Sequence, residues 1–153
     1  MPPTETELNE FNIIGISVRT TNQNGQSQSN IGALWSKFMG QGWLKKIPNK
    51  ATDDIYCIYT DYESDFNGQY TTILGCKVTS LDHIPSGLIG KTIPSSKYLV
   101  FKSNGKLPDC IVETWKNIWQ SVTNRKYIAD FDVYGQEAQN SENASVNTFV
   151  SIQ

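Results

Sequence analysis

The first half of the chain combines segments with the two-residue period of strands and one segment with helical period. Residues 11–19 are rich in β-branched side chains. Because Ile14, Ile16 and Val18 fall on one face, this segment is predicted to be a strand with one side on a core. A helical apolar stripe follows, formed by Ile31, Leu34, Trp35, Phe38 and Met39. Ser29 is its predicted N-cap.

Two further strand-like segments complete the first half. Residues 55–60 and 70–78 flank the pair Asn67-Gly68, which is typical of a hairpin turn. Residues 1–10 are polar, contain two prolines and are predicted to be a flexible, frayed lead-in. The first half therefore reads β-α-β-β.

The second half repeats this order. Residues 88–93 and 97–101 are strand-like, and residues 127–134 and 146–152 form two more predicted strands. Between the two pairs lies a second helical stripe, formed by Ile111, Trp115, Ile118, Trp119 and Val122. We therefore predict an α+β fold built from two β-α-β-β modules, at about 11–80 and 85–153, within one domain. A seam between such modules is where pockets tend to form.

Composition removes several classes of function. The 153 residues carry a formal net charge of −2, so no basic field is present to hold nucleic acid. No apolar run reaches the length that spans a bilayer, and the N-terminal residues lack the features of a secretory signal. Three dispersed cysteines favour a reducing compartment, so we predict a cytoplasmic protein.

The sequence contains no recognisable catalytic, metal-binding or cofactor-binding motif. The acidic run 61–65 lacks the glycine and closing glutamate of a calcium loop, and the lone His83 has no partner at ligand spacing. Nucleophile-elbow and phosphate-binding motifs are also missing from the sequence. Only Glu63, flanked by Tyr59 and Tyr62, is kept as a candidate from the acidic run.

Aromatic residues dominate instead, with 4 Trp, 7 Tyr and 6 Phe against 1 His. Trp35, Trp115 and Trp119 lie on the helical stripes, where a role in the core is the default. Tryptophan is costly as simple filler, however, because its N–H needs a partner. Some of these rings are therefore expected to line a partly open cavity.

The strand at 127–134 carries the most informative pattern. Alternation places Asp130, Asp132 and Tyr134 on one face. A carboxylate beside aromatic rings in a low-dielectric pocket would attract a cation. The alternative is an edge strand whose aspartates are solvated.

Several of these segments resemble one family, the bacterial effector-binding domains, also called gyrase-inhibitor-like small-molecule-binding domains. Residues 55–70, followed by Leu74-Gly75-Cys76, resemble its second and third strands. Residues 98–101, with the glycine and tryptophans that follow, resemble its second module, and residues 130–134 resemble its Asp-Phe-Glu-x-Tyr strand. Some members are fused to helix-turn-helix regions in AraC-type and MerR-type multidrug regulators.

The resemblance implies two modules related by a pseudo-twofold axis, antiparallel sheets, and a groove that binds lipophilic, often cationic, molecules. Asp132 stands where the family has a glutamate and is one methylene shorter, so Glu63 is a second candidate for the charge. The complete set of expected ligand-binding residues is Asp132, Glu63, Tyr134, Trp115, Trp119, Trp35, Tyr59 and Tyr62.

Three hypotheses on function follow. The first is a module that senses or sequesters a lipophilic, cationic compound without catalysis or cofactor, as a monomer or homodimer. The second is a hydrolase of strained cyclopropyl groups in toxic natural products, an activity of some relatives. The third is a regulatory protein that acts through protein partners such as gyrase, without direct nucleic acid binding.

Overall fold

The computed structural model describes residues 2–153, which form eight strands and three helices. The elements, in chain order, are β1 Thr4–Leu8, β2 Phe11–Thr21, α1 Gln26–Gly40, α2 Trp43–Lys46, β3 Ile55–Thr60, β4 Gln69–Val78, β5 Ile89–Ile93, β6 Ser96–Gly105, α3 Asp109–Ser121, β7 Ala129–Tyr134 and β8 Ala144–Ile152. None of the helices in residues 2–153 is both long and apolar enough to cross a membrane.

All eight strands form one antiparallel sheet in the order β1-β6-β8-β7-β3-β4-β2-β5. The predicted α+β class and the repeated β-α-β-β order are confirmed, with β2-α1-β3-β4 as one module and β6-α3-β7-β8 as the other. The sheets of the two modules join through β3 and β7, where Cys57 lies opposite Asp132. Strand order runs in opposite directions from this junction, as a pseudo-twofold axis requires.

The lead-in is where the structure departs from the sequence prediction. Residues 4–8 form β1, which pairs with β6 so that Thr4 lies opposite Val100. In a reciprocal way, β5 lies just before the second module in the chain but pairs with β2 of the first module. The two modules thus exchange these edge strands. The prediction of a frayed segment was wrong because β1 has no apolar face of its own, and its pairing comes from a strand about 90 residues away.

Helices α1 and α3 pack on the same side of the sheet, one for each module. Helix α1 buries Leu34 and Phe38 against β2, in a cluster with Ile14. Helix α3 buries Ile118 against β6 and β8. Helix α1 begins at Gln26, a turn earlier than predicted, because Gly25 adopts a left-handed conformation (φ 68°) that starts the helix. A groove is left between the helices.

The face of the sheet opposite the helices is covered by side chains of the strands themselves. Phe11 of β2 and Phe131 of β7 have ring centroids 5.4 Å apart, although two strands lie between theirs. In a flat sheet three strand spacings amount to about 14 Å, so the sheet is strongly curved. Gly15 and Gly75 lie opposite each other in β2 and β4. A Cβ on Gly15 would clash with the Leu74 carbonyl oxygen, so the close backbone approach requires glycine.

Candidate ligand-binding site

A cavity of about 1700 Å³ lies between α1 and α3, and we call it the inter-module cavity. Both modules line it: Trp35 comes from α1, Trp115 from α3, Tyr59 from β3 and Tyr134 from β7. Ligand pockets in proteins commonly measure about 300–1,000 Å³, so a drug-sized molecule has ample room here.

The rings in this wall contact one another edge to face. Trp35 and Tyr134 have centroids 4.9 Å apart with planes at 76°, which links α1 to β7 across the module boundary. Tyr59 and Trp115 are 5.3 Å apart at 83°, which links β3 to α3. Because edge-to-face pairs fix ring orientation, the aromatic wall is largely formed before any ligand enters.

Asp132 lies directly behind this wall and is fully buried. Its carboxylate accepts hydrogen bonds from the Tyr59 hydroxyl (2.8 Å), the Trp115 Nε1–H (3.2 Å) and the Thr148 hydroxyl. Burial raises its pKa to about 6, while the hydrogen bonds from Thr148, Tyr59 and Trp115 oppose that rise. Asp132 is therefore a carboxylate that titrates close to neutral pH.

The two tyrosines beside Asp132 remain neutral, and Tyr59 donates its hydroxyl hydrogen to Asp132. Burial and the nearby carboxylate raise the pKa of Tyr59 and that of Tyr134 well above 10. Burial also raises the pKa of Cys57, which faces Tyr59 at 3.3 Å, so this thiol is protonated and unreactive. The chemistry of this end of the cavity is thus one titratable charge surrounded by rings and neutral donors.

A second buried carboxylate, Asp130, is held by a different set of partners. One oxygen accepts the Tyr62 hydroxyl and Nη2 of Arg125 at 2.7 Å, and the other accepts the backbone N–H and hydroxyl of Ser151. Strand β7 lies between β3 and β8, so the alternative of an edge strand with solvated aspartates is wrong.

The structure brings most of the candidate residues together. Trp35, Tyr59, Tyr62, Trp115, Trp119 and Tyr134 all line the cavity. Trp119 is at the mouth, 40% exposed and stacked on Phe66 at 6.1 Å. Asp132 contacts two of these rings from behind.

Glu63 lies apart from the other candidate residues. Its side chain is exposed in the β3–β4 connection and does not contribute to the cavity wall. Its backbone N–H donates to the Gln69 carbonyl oxygen at 2.8 Å, which places the residue at the base of the exposed hairpin loop.

Sequence reasoning missed Arg125 and Tyr70, which also line the cavity. Arg125 lies in an irregular connection, and nothing in its spacing showed that it would pair with Asp130. Tyr70 is the second residue of β4, and alternation along that strand could have placed it on the same face as Thr72. Within residues 2–153 no group of three His, Cys, Asp or Glu side chains is arranged to hold a metal ion.

Two β-α-β-β modules in one sheet, with an aromatic cavity at their seam, define the class of small-molecule effector-binding domains. Comparison with known proteins gives the family: the chain belongs to that described as "Cass2: Integron-associated effector binding protein", which matches residues 6–152. The chain is 32% identical over 152 residues to a Bacillus subtilis protein described as "Putative transcriptional regulator protein YobU", covering 96% of this chain and 95% of that protein.

Solved structures share the fold. An integron cassette protein from Vibrio cholerae is 28% identical with a TM-score of 0.75, over 100% of this chain and 97% of that chain. The structure of SAV2435 bound to tetraphenylphosphonium has a TM-score of 0.82 at 19% identity, over 100% of this chain and 94% of that one. This second likeness concerns the fold alone.

Proposed function

We propose that this chain binds a lipophilic, positively charged small molecule in the inter-module cavity. The two modules act as a single binding unit, and the bound state serves to sense or sequester the compound. Trp35, Tyr59, Tyr62, Trp115, Trp119 and Tyr134 supply aromatic surface in this proposal, and Asp132 supplies the charge.

The observation that carries the proposal is the position of Asp132. Arg125 pairs with Asp130, whereas no Lys, Arg or His in residues 2–153 forms a salt bridge with Asp132. A buried carboxylate without a cationic partner is costly, and a ligand cation in the adjacent cavity would reduce that cost. The faces of nearby rings would add cation–π attraction.

The apolar wall accounts for the lipophilic part of the ligand. Burying aromatic ligand surface contributes about 25 cal/mol per Å², so about 200 Å² gives roughly 5 kcal/mol before the cost of immobilisation. The mostly preformed wall keeps the cost of ordering side chains low. The tetraphenylphosphonium-bound structure supports this ligand chemistry, since it shows a protein of the same fold with a lipophilic cation.

A pair of probes of one shape and opposite charge tests the proposal. Tetraphenylphosphonium and tetraphenylborate are both four phenyl rings on one atom, so their difference in affinity reports charge rather than size. Calorimetric titration is expected to give micromolar binding of the phosphonium and at least about tenfold weaker binding of the borate. No phosphonium binding at millimolar concentration, or equal affinity for both ions, would refute the proposal.

Two variants separate the site from general electrostatics. Asp132→Asn removes the proposed charge and is expected to weaken phosphonium binding about tenfold or more. Glu63→Gln removes one negative charge from an exposed position outside the cavity wall and is the matched control. Equal loss in both variants would show that only net charge matters.

A further inference from the structure

Arg125 is a buried cation in the wall of the inter-module cavity, and the proposed binding of a ligand cation near Asp132 gives this residue no role. Its side chain is 3% exposed and pairs with Asp130, which is 0% exposed. Its guanidinium carbon lies 4.4 Å from the centre of the Tyr127 ring and 5.6 Å from that of Trp115. The guanidinium is thus held in place by one carboxylate and two rings.

The ion pair uses only part of the guanidinium. Nη2 donates to Asp130, while Nε and Nη1 have no hydrogen-bond partner within residues 2–153. A buried donor without an acceptor commonly costs about 1–3 kcal/mol, and more when it is charged. These are the only unpartnered nitrogen donors among the buried side chains of residues 2–153.

The position of Arg125 relates these donors to the proposed ligand. The residue contributes to the cavity wall, and the Trp115 ring that it approaches also donates to Asp132. A group that meets the Arg125 donors would therefore belong to the same molecule whose positive charge is drawn to Asp132. Both nitrogen atoms are buried although Arg125 itself contributes to the cavity wall, so the proposed ligand group reaches them only when a covering side chain moves.

We propose that Arg125 is a hydrogen-bond donor subsite for an uncharged oxygen acceptor on the ligand, such as a ketone, ester or amide carbonyl. The inference rests on the proposed function and narrows the ligand class to lipophilic cations that carry a carbonyl group. An anionic acceptor is disfavoured, because Asp130 already compensates the charge of Arg125 and Asp132 adds negative potential nearby. A carbonyl oxygen satisfies the donors without adding charge.

A purely structural role predicts a different behaviour. If Arg125 only anchored the 122–128 connection to Asp130, any change that kept a positive charge there would preserve how the cavity ranks its ligands. Arg125→Lys keeps the charge but removes the Nε and Nη1 donors. Replacing the pair together, as Arg125→Met with Asp130→Asn, removes the donors without leaving an unpaired buried charge.

The test compares two phosphonium probes that differ only in having a ketone carbonyl or a methylene group at one position. They are (4-oxo-4-phenylbutyl)triphenylphosphonium and (4-phenylbutyl)triphenylphosphonium, each also prepared with linkers one carbon shorter and one carbon longer. In the unaltered protein, at least one ketone is expected to bind about tenfold more tightly than its methylene counterpart, as measured by calorimetry. The preference should fall to within about twofold in Arg125→Lys and in the double variant.

Arg19→Lys is the matched control, because Arg19 is exposed and outside the cavity wall. This variant should keep the preference for the ketone. Equal binding of ketone and methylene probes at every linker length in the unaltered protein overturns the subsite. So does a preference that survives both Arg125 variants. If no phosphonium binds at all, the proposed function fails instead, so the two failures are distinguishable.

Discussion

Binding of tetraphenylphosphonium should strengthen as pH rises from 5 to 8, because Asp132 gains its charge in that range. Burial raises the pKa of Asp132 to about 6. A cation binds the ionised form more tightly, so ligand and proton compete. Binding therefore lowers the pKa of Asp132 and releases a proton wherever the empty site is protonated. The affinity for the cation is therefore lost as the pH falls through about 6.

The size of the effect follows from that pKa. With a value of about 6, the ionised fraction is about 0.1 at pH 5, about 0.5 at pH 6 and about 0.99 at pH 8. Affinity should therefore rise between pH 5 and pH 8 by about fivefold if the neutral form binds about tenfold more weakly, and by about tenfold if the neutral form does not bind, and it should level off above pH 7. The rise should be absent in Asp132→Asn, which has no charge to titrate.

Calorimetry at fixed ionic strength measures this profile, in buffers of different ionisation enthalpy to count released protons. Interference from the tyrosines and the thiol beside Asp132 is small. Tyr59, Tyr134 and Cys57 have pKa values raised far above this range, and the single histidine, His83, is exposed outside the cavity wall. Glu63→Gln should show the same rise as the unaltered protein. A flat profile in the unaltered protein, or an unchanged profile in Asp132→Asn, would refute the assigned role.

Three further predictions concern the wall and the sheet. Trp115→Phe removes the N–H donated to Asp132 but keeps an aromatic ring, so the pKa of Asp132 and the midpoint of the pH profile should move upward. An unmoved midpoint would contradict the role of this hydrogen bond in setting the pKa of Asp132. Gly15→Ala should lower the free energy of unfolding by about 3 kcal/mol or more in chemical denaturation, since its Cβ would meet the Leu74 carbonyl oxygen, and a change under about 1 kcal/mol would show that the backbones can separate. Deleting residues 1–8 should lower the free energy of unfolding by about 2 kcal/mol in the same assay, because β6 loses its edge partner and the core loses its contact with Leu8. Unchanged stability would show that this segment is dispensable.

Periodicity located most elements because most of them bury a face of their own. The stripes of α1 and α3 turn Leu34, Phe38 and Ile118 toward the sheet, and the order of elements gave the duplicated α+β fold. β1 escaped prediction because its residues alternate without an apolar face. The duplication contained a usable signal: a strand at 88–93 ahead of the second module implies a counterpart ahead of the first.

The candidate site was predicted where local geometry decides side-chain direction. Alternation along β7 fixes Asp132 on the side of the helices, and helical spacing fixes Trp115 above it. Local geometry does not decide long-range pairing, so the Arg125–Asp130 pair could not be found from the sequence. The position of Glu63 was mispredicted for a related reason: the flanking tyrosines suggested a shared environment, but the glutamate side chain is exposed to solvent.

The exchange of β1 and β5 between the modules makes the two halves obligate complements. Severing the chain in the connection between β4 and β5 would leave β1 on one fragment and its partner β6 on the other. β5 would likewise be separated from β2, and the central seam of β3 with β7 would be opened. Each fragment would carry unsatisfied strand edges that only the other fragment matches in register. Since the inter-module cavity exists only when both fragments meet, the chain is suited to conversion into a split reporter whose reassembly is driven by its ligand.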